Sequence, residues 1–107
     1  MLKPITFKVK EKLFLIGQLL LSEEELLKSL GEPHYIETDN LRTCGGPQWF
    51  WGFVEDEGSM VAIDFHPLGG HVKVGTNRPN EVDKLLTQLR IRNEALSKYD
   101  QLYDYYG

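Results

Sequence analysis

The chain has 107 residues, enough to build one hydrophobic core without disulfides or a structural metal. Its 12 Lys and Arg stand against 16 Asp and Glu, and the net charge of −4 is mixed along the chain, which excludes generic affinity for nucleic acid or anionic membrane and leaves a basic partner open. The single cysteine, Cys44, excludes an intramolecular disulfide framework, and the apolar run LFLIGQLLL is interrupted by a glycine and too short to span a bilayer, so a cytoplasmic protein is expected.

In chain order, Ile5, Phe7 and Val9 alternate with Thr6, Lys8 and Lys10, the period of a half-exposed edge strand. Residues 13–21 are apolar apart from Gly17 and Gln18, and periodicity alone leaves strand and early helix open; strand through Ile16 is favoured. Ser22 followed by Glu23, Glu24 and Glu25 is a capping box with an acidic first turn. Leu26, Leu27 and Leu30 supply a buried stripe, and Gly31 and Pro33 stop the helix. A short helix over residues 23–30 is the result. Residues 34–38 read as a strand, and residues 39–47 as a loop that carries Cys44, Gly45, Gly46 and Pro47.

Residues 48–75 read as three strands joined by two turns. A three-residue turn of Asp56, Glu57 and left-handed Gly58 sets Phe53 opposite Val61, Trp51 opposite Ile63 and Trp49 opposite Phe65. A second turn at Pro67, Leu68, Gly69 and Gly70 adds Val72 and Val74 to the same face. Two separate turns therefore agree on one apolar core face. The other face carries Gln48, His66 and His71, then Phe50, Asp64 and Lys73, then Gly52, Ala62 and Gly75.

After the loop at residues 76–79, Val82, Leu85, Leu86, Leu89, Asn93 and Leu96 fall at helical spacing, which predicts a longer helix over residues 80–96 lying on the sheet. The tyrosine-rich, acidic segment 98–107 is a tail whose docking the sequence leaves open. Tyr99, Leu102 and Tyr106 could continue the amphipathic helix, or the tail could serve as a binding surface. The expected architecture is a single α+β domain: a mainly antiparallel sheet of five to six strands, with a short helix in the N-terminal half and a longer C-terminal helix packed on it.

Several side-chain groups could carry chemistry. His66 and His71 are cross-strand neighbours with Asp64 two positions along, close enough in principle to share a metal, although the spacing matches no established ligand pattern. Asp64 opposite Lys73 is most simply a cross-strand ion pair. The row of Gly52, Ala62 and Gly75 leaves a depression for a ligand, a partner side chain or an element of the same chain. Cys44 beside two glycines invites comparison with a nucleophile, but no catalytic signature surrounds it. No phosphate-binding loop or hydrolase motif is present.

With the helix segment SEEELLKSLGEP, the aromatic strand QWFWGFV and the strands that follow, residues 22–75 resemble the small α+β immunity proteins that neutralise bacterial toxin domains, including those of contact-dependent inhibition systems. The resemblance implies a catalytically inert inhibitor without cofactor or metal, bound to a cognate toxin domain that is commonly a basic nuclease, with no nucleic acid or membrane partner. A monomer is favoured. The residues suited to the partner are Glu23 and Glu24, Asp56 and Glu57 at the hairpin tip, and Asp100, Tyr103, Asp104, Tyr105 and Tyr106, because aromatic area beside carboxylates complements a basic surface. The alternative is a small ligand-binding, metal-binding or enzymatic domain that uses the sheet face of Asp64, His66 and His71. A third reading is a homo-oligomer joined through the first strand or the tail.

Overall fold

In a computed structural model of the chain, the described residues are 2–5, 12–38 and 46–105. Residues 6–9 of the expected first strand, residues 39–45 of the expected loop including Cys44, and Tyr106 lie outside them. The elements are β1 (Lys3–Pro4), β2 (Phe14–Leu19), α1 (Glu23–Leu30), β3 (Tyr35–Glu37), β4 (Gln48–Val54), β5 (Met60–His66), β6 (His71–Thr76), α2 (Val82–Gln88) and β7 (Leu96–Asp104), with 3-10 turns at Pro79–Glu81 and Asn93–Ala95.

The α+β class and the antiparallel sheet are as expected, but among the described residues the sheet has seven strands where about five to six were predicted. Their order is β1-β4-β5-β6-β2-β7, and β3 pairs with β4 on the edge that β1 also uses. The gap between β1 and β3 is closed by His34, whose Nδ1 accepts the Gly52 N–H at 3.1 Å, while Ile5 N–H donates to the Gly52 carbonyl at 2.7 Å. No backbone group of Gly52 is wasted.

Both predicted hairpins form in the expected register. Trp49, Trp51 and Phe53 pair with Phe65, Ile63 and Val61, and Val72 and Val74 continue from Phe65 and Ile63. Gly58 and Gly70 take positive φ of 92° and 73°, the conformation each turn requires. On this face Trp51, Val61, Ile63, Phe65, Val72 and Val74 are buried with Leu26 and Leu30 of α1 and Val82, Leu85 and Leu86 of α2. The capping box of Ser22 and Glu25 forms at the start of α1, and the Trp51 indole donates to the Gly31 carbonyl at 3.0 Å, which fixes the helix end to β4.

The predicted helix over residues 80–96 is a correction. The α-helix stops at Gln88 because Arg90 turns left-handed with φ of 62°. Arg90 N–H then donates to the Thr87 carbonyl and Ile91 N–H to the Leu86 carbonyl, the paired bonds of a Schellman ending. Ile91, 3% exposed, seals it against the core, and Ala95 is buried at the end of the second 3-10 turn. Leu89, Ile91 and Ala95 thus join the core from a helix end and a connection, not from one continuous helix.

The tail does not extend a helix either. Residues 96–104 form β7, antiparallel to β2. The pairing breaks between Leu15↔Tyr103 and Gly17↔Lys98, so residues 99–102 stand opposite Ile16 alone and bulge outward. Close approach is possible only because residue 17 is glycine: a methyl there would sit 2.1 Å from the Ser97 carbonyl oxygen.

Candidate binding surfaces and the Asp64 cluster

The β4–β5 turn is held by a polar network that the sequence pattern did not reveal. Asn77 Oδ1 accepts Met60 N–H at 2.8 Å and its Nδ2 donates to the Gly58 carbonyl at 2.9 Å. Arg78 donates to Ser59 Oγ at 3.0 Å and to the Glu57 carbonyl at 2.9 Å, and fully buried Ser59 donates to Glu81 at 2.7 Å. These bonds present exposed Asp56 and Glu57 on a fixed turn, where Asp56 lies 3.5 Å from Lys3. The only advance signal was the polar run Thr76, Asn77 and Arg78, legible as a loop but not as a clamp.

The bulge in β7 presents a second surface. Leu102 is 51% exposed and Tyr103 47%, flanked by exposed Asp100 and Asp104. Tyr99 and Tyr103 meet edge to face with centroids 5.8 Å apart, and Gln101 donates to the Tyr103 hydroxyl at 3.2 Å, so the bulge has internal order. Asp104 is 3.4 Å from Lys12. Among the described residues β7 has β2 as its strand neighbour on one side and no strand on the other.

The predicted partner residues do not converge on one patch. Register carries one row from Val61 through Thr76 and Phe14 to Asp104, so the Asp56–Glu57 turn and Asp104 lie toward the same end of the sheet. Glu23 and Glu24 begin α1 beyond Leu19, at the opposite strand end, next to Glu25, whose carboxylate faces Arg92 at 3.7 Å. Hydrogen bonds from the backbone and hydroxyl of Ser22 hold the Glu25 carboxyl below its ordinary value.

Tyr105 is a correction to the list of surface contacts. It is half-buried, and its hydroxyl is shut away from solvent. The ring lies on Gly75, where a methyl group would come within 2.6 Å of it. An aromatic side chain of the same chain therefore occupies part of the depression expected over Gly52, Ala62 and Gly75. The Tyr105 hydroxyl faces Asp64 without completing a hydrogen bond of normal geometry.

Asp64 is 3% exposed, and burial raises its carboxyl to about 6, opposed by the nearby Tyr105 hydroxyl, Lys73 and Gln48. Its register neighbours are Phe50 and Lys73, as predicted, and His66 pairs with His71. His66 Nδ1 accepts the Gly69 N–H at 3.2 Å, a turn-stabilising role for that ring. Among the described residues no group of three or more His, Cys, Asp or Glu is arranged to hold a metal ion, and no helix is long and apolar enough to cross a membrane.

No family model, curated protein or solved structure matches the chain.

Proposed function

We propose that this protein is a protein-binding module of the immunity type, which binds and neutralises a cognate toxin domain through the bulged edge of β7. The observation that carries the reading is the exposed pair Leu102 and Tyr103 set between Asp100 and Asp104 on a strand whose outer side has no strand partner among the described residues. Exposed aromatic and aliphatic area at a sheet edge is an aggregation hazard unless it is used or guarded, and here the bulge and the aspartates guard it against copies of itself while leaving it open to a basic surface. The rigid turn at Asp56 and Glu57, toward the same end of the sheet, supplies a second acidic contact.

The test is co-expression with candidate toxin domains, beginning with any encoded beside its gene. The wild-type chain should protect cells against one of them and copurify with that domain at one-to-one stoichiometry, and a Leu102→Ala, Tyr103→Ala double variant that remains folded should protect at least tenfold less well. Failure of the wild-type chain both to protect and to copurify would sink the reading.

A further inference from the structure

The β5–β6 turn sets two imidazoles around a glycine. His66 and His71 are the last cross-strand pair before the turn, and a Cβ at Gly69 would stand 3.2 Å from His66 Nδ1, 3.1 Å from His71 Cδ2 and 3.7 Å from His71 Nε2. Each ring therefore turns a nitrogen toward the space that the missing side chain leaves. His66 Nδ1 carries no proton, because it accepts the Gly69 N–H at 3.2 Å. That amide has a second acceptor in the His66 carbonyl at 3.0 Å, and the same carbonyl holds the Gly70 N–H at 2.7 Å. Nδ1 can exchange its amide partner for a cation while the turn keeps both backbone bonds and no donor is orphaned. His71 is exposed, so its ring can swing toward Nδ1 without leaving a packed site. Paired residues on adjacent strands have Cβ atoms about 5 Å apart, a span that two imidazoles can bridge through one ion.

We propose that His66 and His71 form a two-imidazole site for a divalent transition-metal ion such as Zn2+, bound through His66 Nδ1 and His71 Nε2 with water in the remaining positions.

The donor type sets the class of ion. Imidazole nitrogen suits Zn2+, Ni2+ and Cu2+, whereas Mg2+ and Ca2+ take oxygen ligands. Closed structural sites use four protein ligands, and among the described residues no third His, Cys, Asp or Glu is grouped with this pair, so the site is open and exchanges its ion readily. Asp64, two residues before His66 on the same face, is buried and faces Gln48 and Tyr105 instead. The charge of Lys73, two residues beyond His71, opposes an ion there and is offset by the Asp64 carboxylate on which it acts. A bound ion would tie β5 to β6 at the strand end opposite the Asp56–Glu57 turn, so the inference stands apart from the β7 surface and from the function proposed for it.

The experiment uses the full chain without a polyhistidine tag, titrated with Zn2+ alone and followed by nitrogen-15 NMR of the imidazole rings. One equivalent should shift His66 Nδ1 and His71 Nε2 together and leave the remaining histidine, His34, unmoved. His71→Gln should weaken binding tenfold or more, because a lone imidazole loses the effective concentration that the pair provides. Gly69→Ala is the sharper variant. It keeps both histidines and every backbone bond, and Gly69 is not among the left-handed glycines, but its methyl enters the space the two rings share. It too should weaken binding tenfold or more. No saturable shift at millimolar Zn2+, a shift of one ring without the other, or either variant binding as tightly as the wild type overturns the shared site. The wild-type titration needs no variant, so the proposal stays open to refutation even if a substitution disturbs the turn.

Discussion

Burial holds the Asp64 carboxyl at about 6, above its ordinary 3.8, so the folded protein binds that proton more tightly than the unfolded chain. The contribution of this group to stability is therefore complete below the unfolded value and is lost as pH rises through about 6. Relative to Asp64→Asn, the wild type should gain about 1 kcal/mol on going from pH 7.5 to 5, read from urea midpoints at each pH. His34 acts in the opposite sense. Burial lowers its pKa below the usual 6.5, and its Nδ1 must stay unprotonated to accept the Gly52 N–H, so its contribution is present above the unfolded value and lost as pH falls through the folded one. A His34→Gln variant should flatten the acid side of the stability profile while leaving the rise due to Asp64. Lys73 was legible as the neighbour of Asp64 because hairpin register is local, whereas Tyr105 was not, because only the fold brings the end of the chain over Gly75.

At the scale of elements, the connection from α2 to β7 decides whether the C-terminal segment pairs with β2 or remains helical. Arg90 holds a left-handed conformation that disfavours any side chain with a Cβ, so Arg90→Gly should stabilise the protein by up to about 1 kcal/mol once the added freedom of the unfolded chain is subtracted, seen as a rise of a few degrees in Tm. Gly17→Ala should do the reverse. With no room beside the Ser97 carbonyl, β7 must shift or detach, a loss of about 3 kcal/mol or more by chemical denaturation. The same two residues show what was legible. The β4–β5–β6 meander could be read because turn length and alternation fix register locally, and the two turns checked each other. The end of α2 could not, because Leu89, Asn93 and Leu96 keep a 3.6-residue spacing across a break whose left-handed residue is an arginine, not the glycine that would have signalled it. The strand nature of the tail was likewise hidden, since its bulge replaces period-2 alternation with four residues opposite one. The acidic residues proposed as partner contacts were visible as composition, but their separation onto opposite strand ends depends on where β7 and α1 attach.

For the molecule as a whole, a net charge of −4, with Asp56 and Glu57 exposed on a turn and Asp100 and Asp104 exposed on β7, has a kinetic consequence. A basic partner approaching from solution is steered by the summed field over distances comparable to the Debye length, about 10 Å at 0.1 M salt, while the short-range contacts of Leu102 and Tyr103 form only after encounter. Salt should then act on association and leave dissociation nearly unchanged: if the proposed toxin partner is bound, raising ionic strength from about 20 to 300 mM should slow its association tenfold or more, by stopped-flow fluorescence. Position separates this from a general charge effect. Glu57→Lys with Asp100→Lys changes the net charge by the same amount as Glu23→Lys with Glu24→Lys, yet the first pair lies on the turn and bulge of the proposed interface and the second begins α1 at the far strand ends. The first pair should slow association several-fold more than the second, even though the second also removes two carboxylates from the first turn of α1. Equal slowing by the two pairs would mean that the field of the whole molecule, and not the β7 edge with its neighbouring turn, guides the partner.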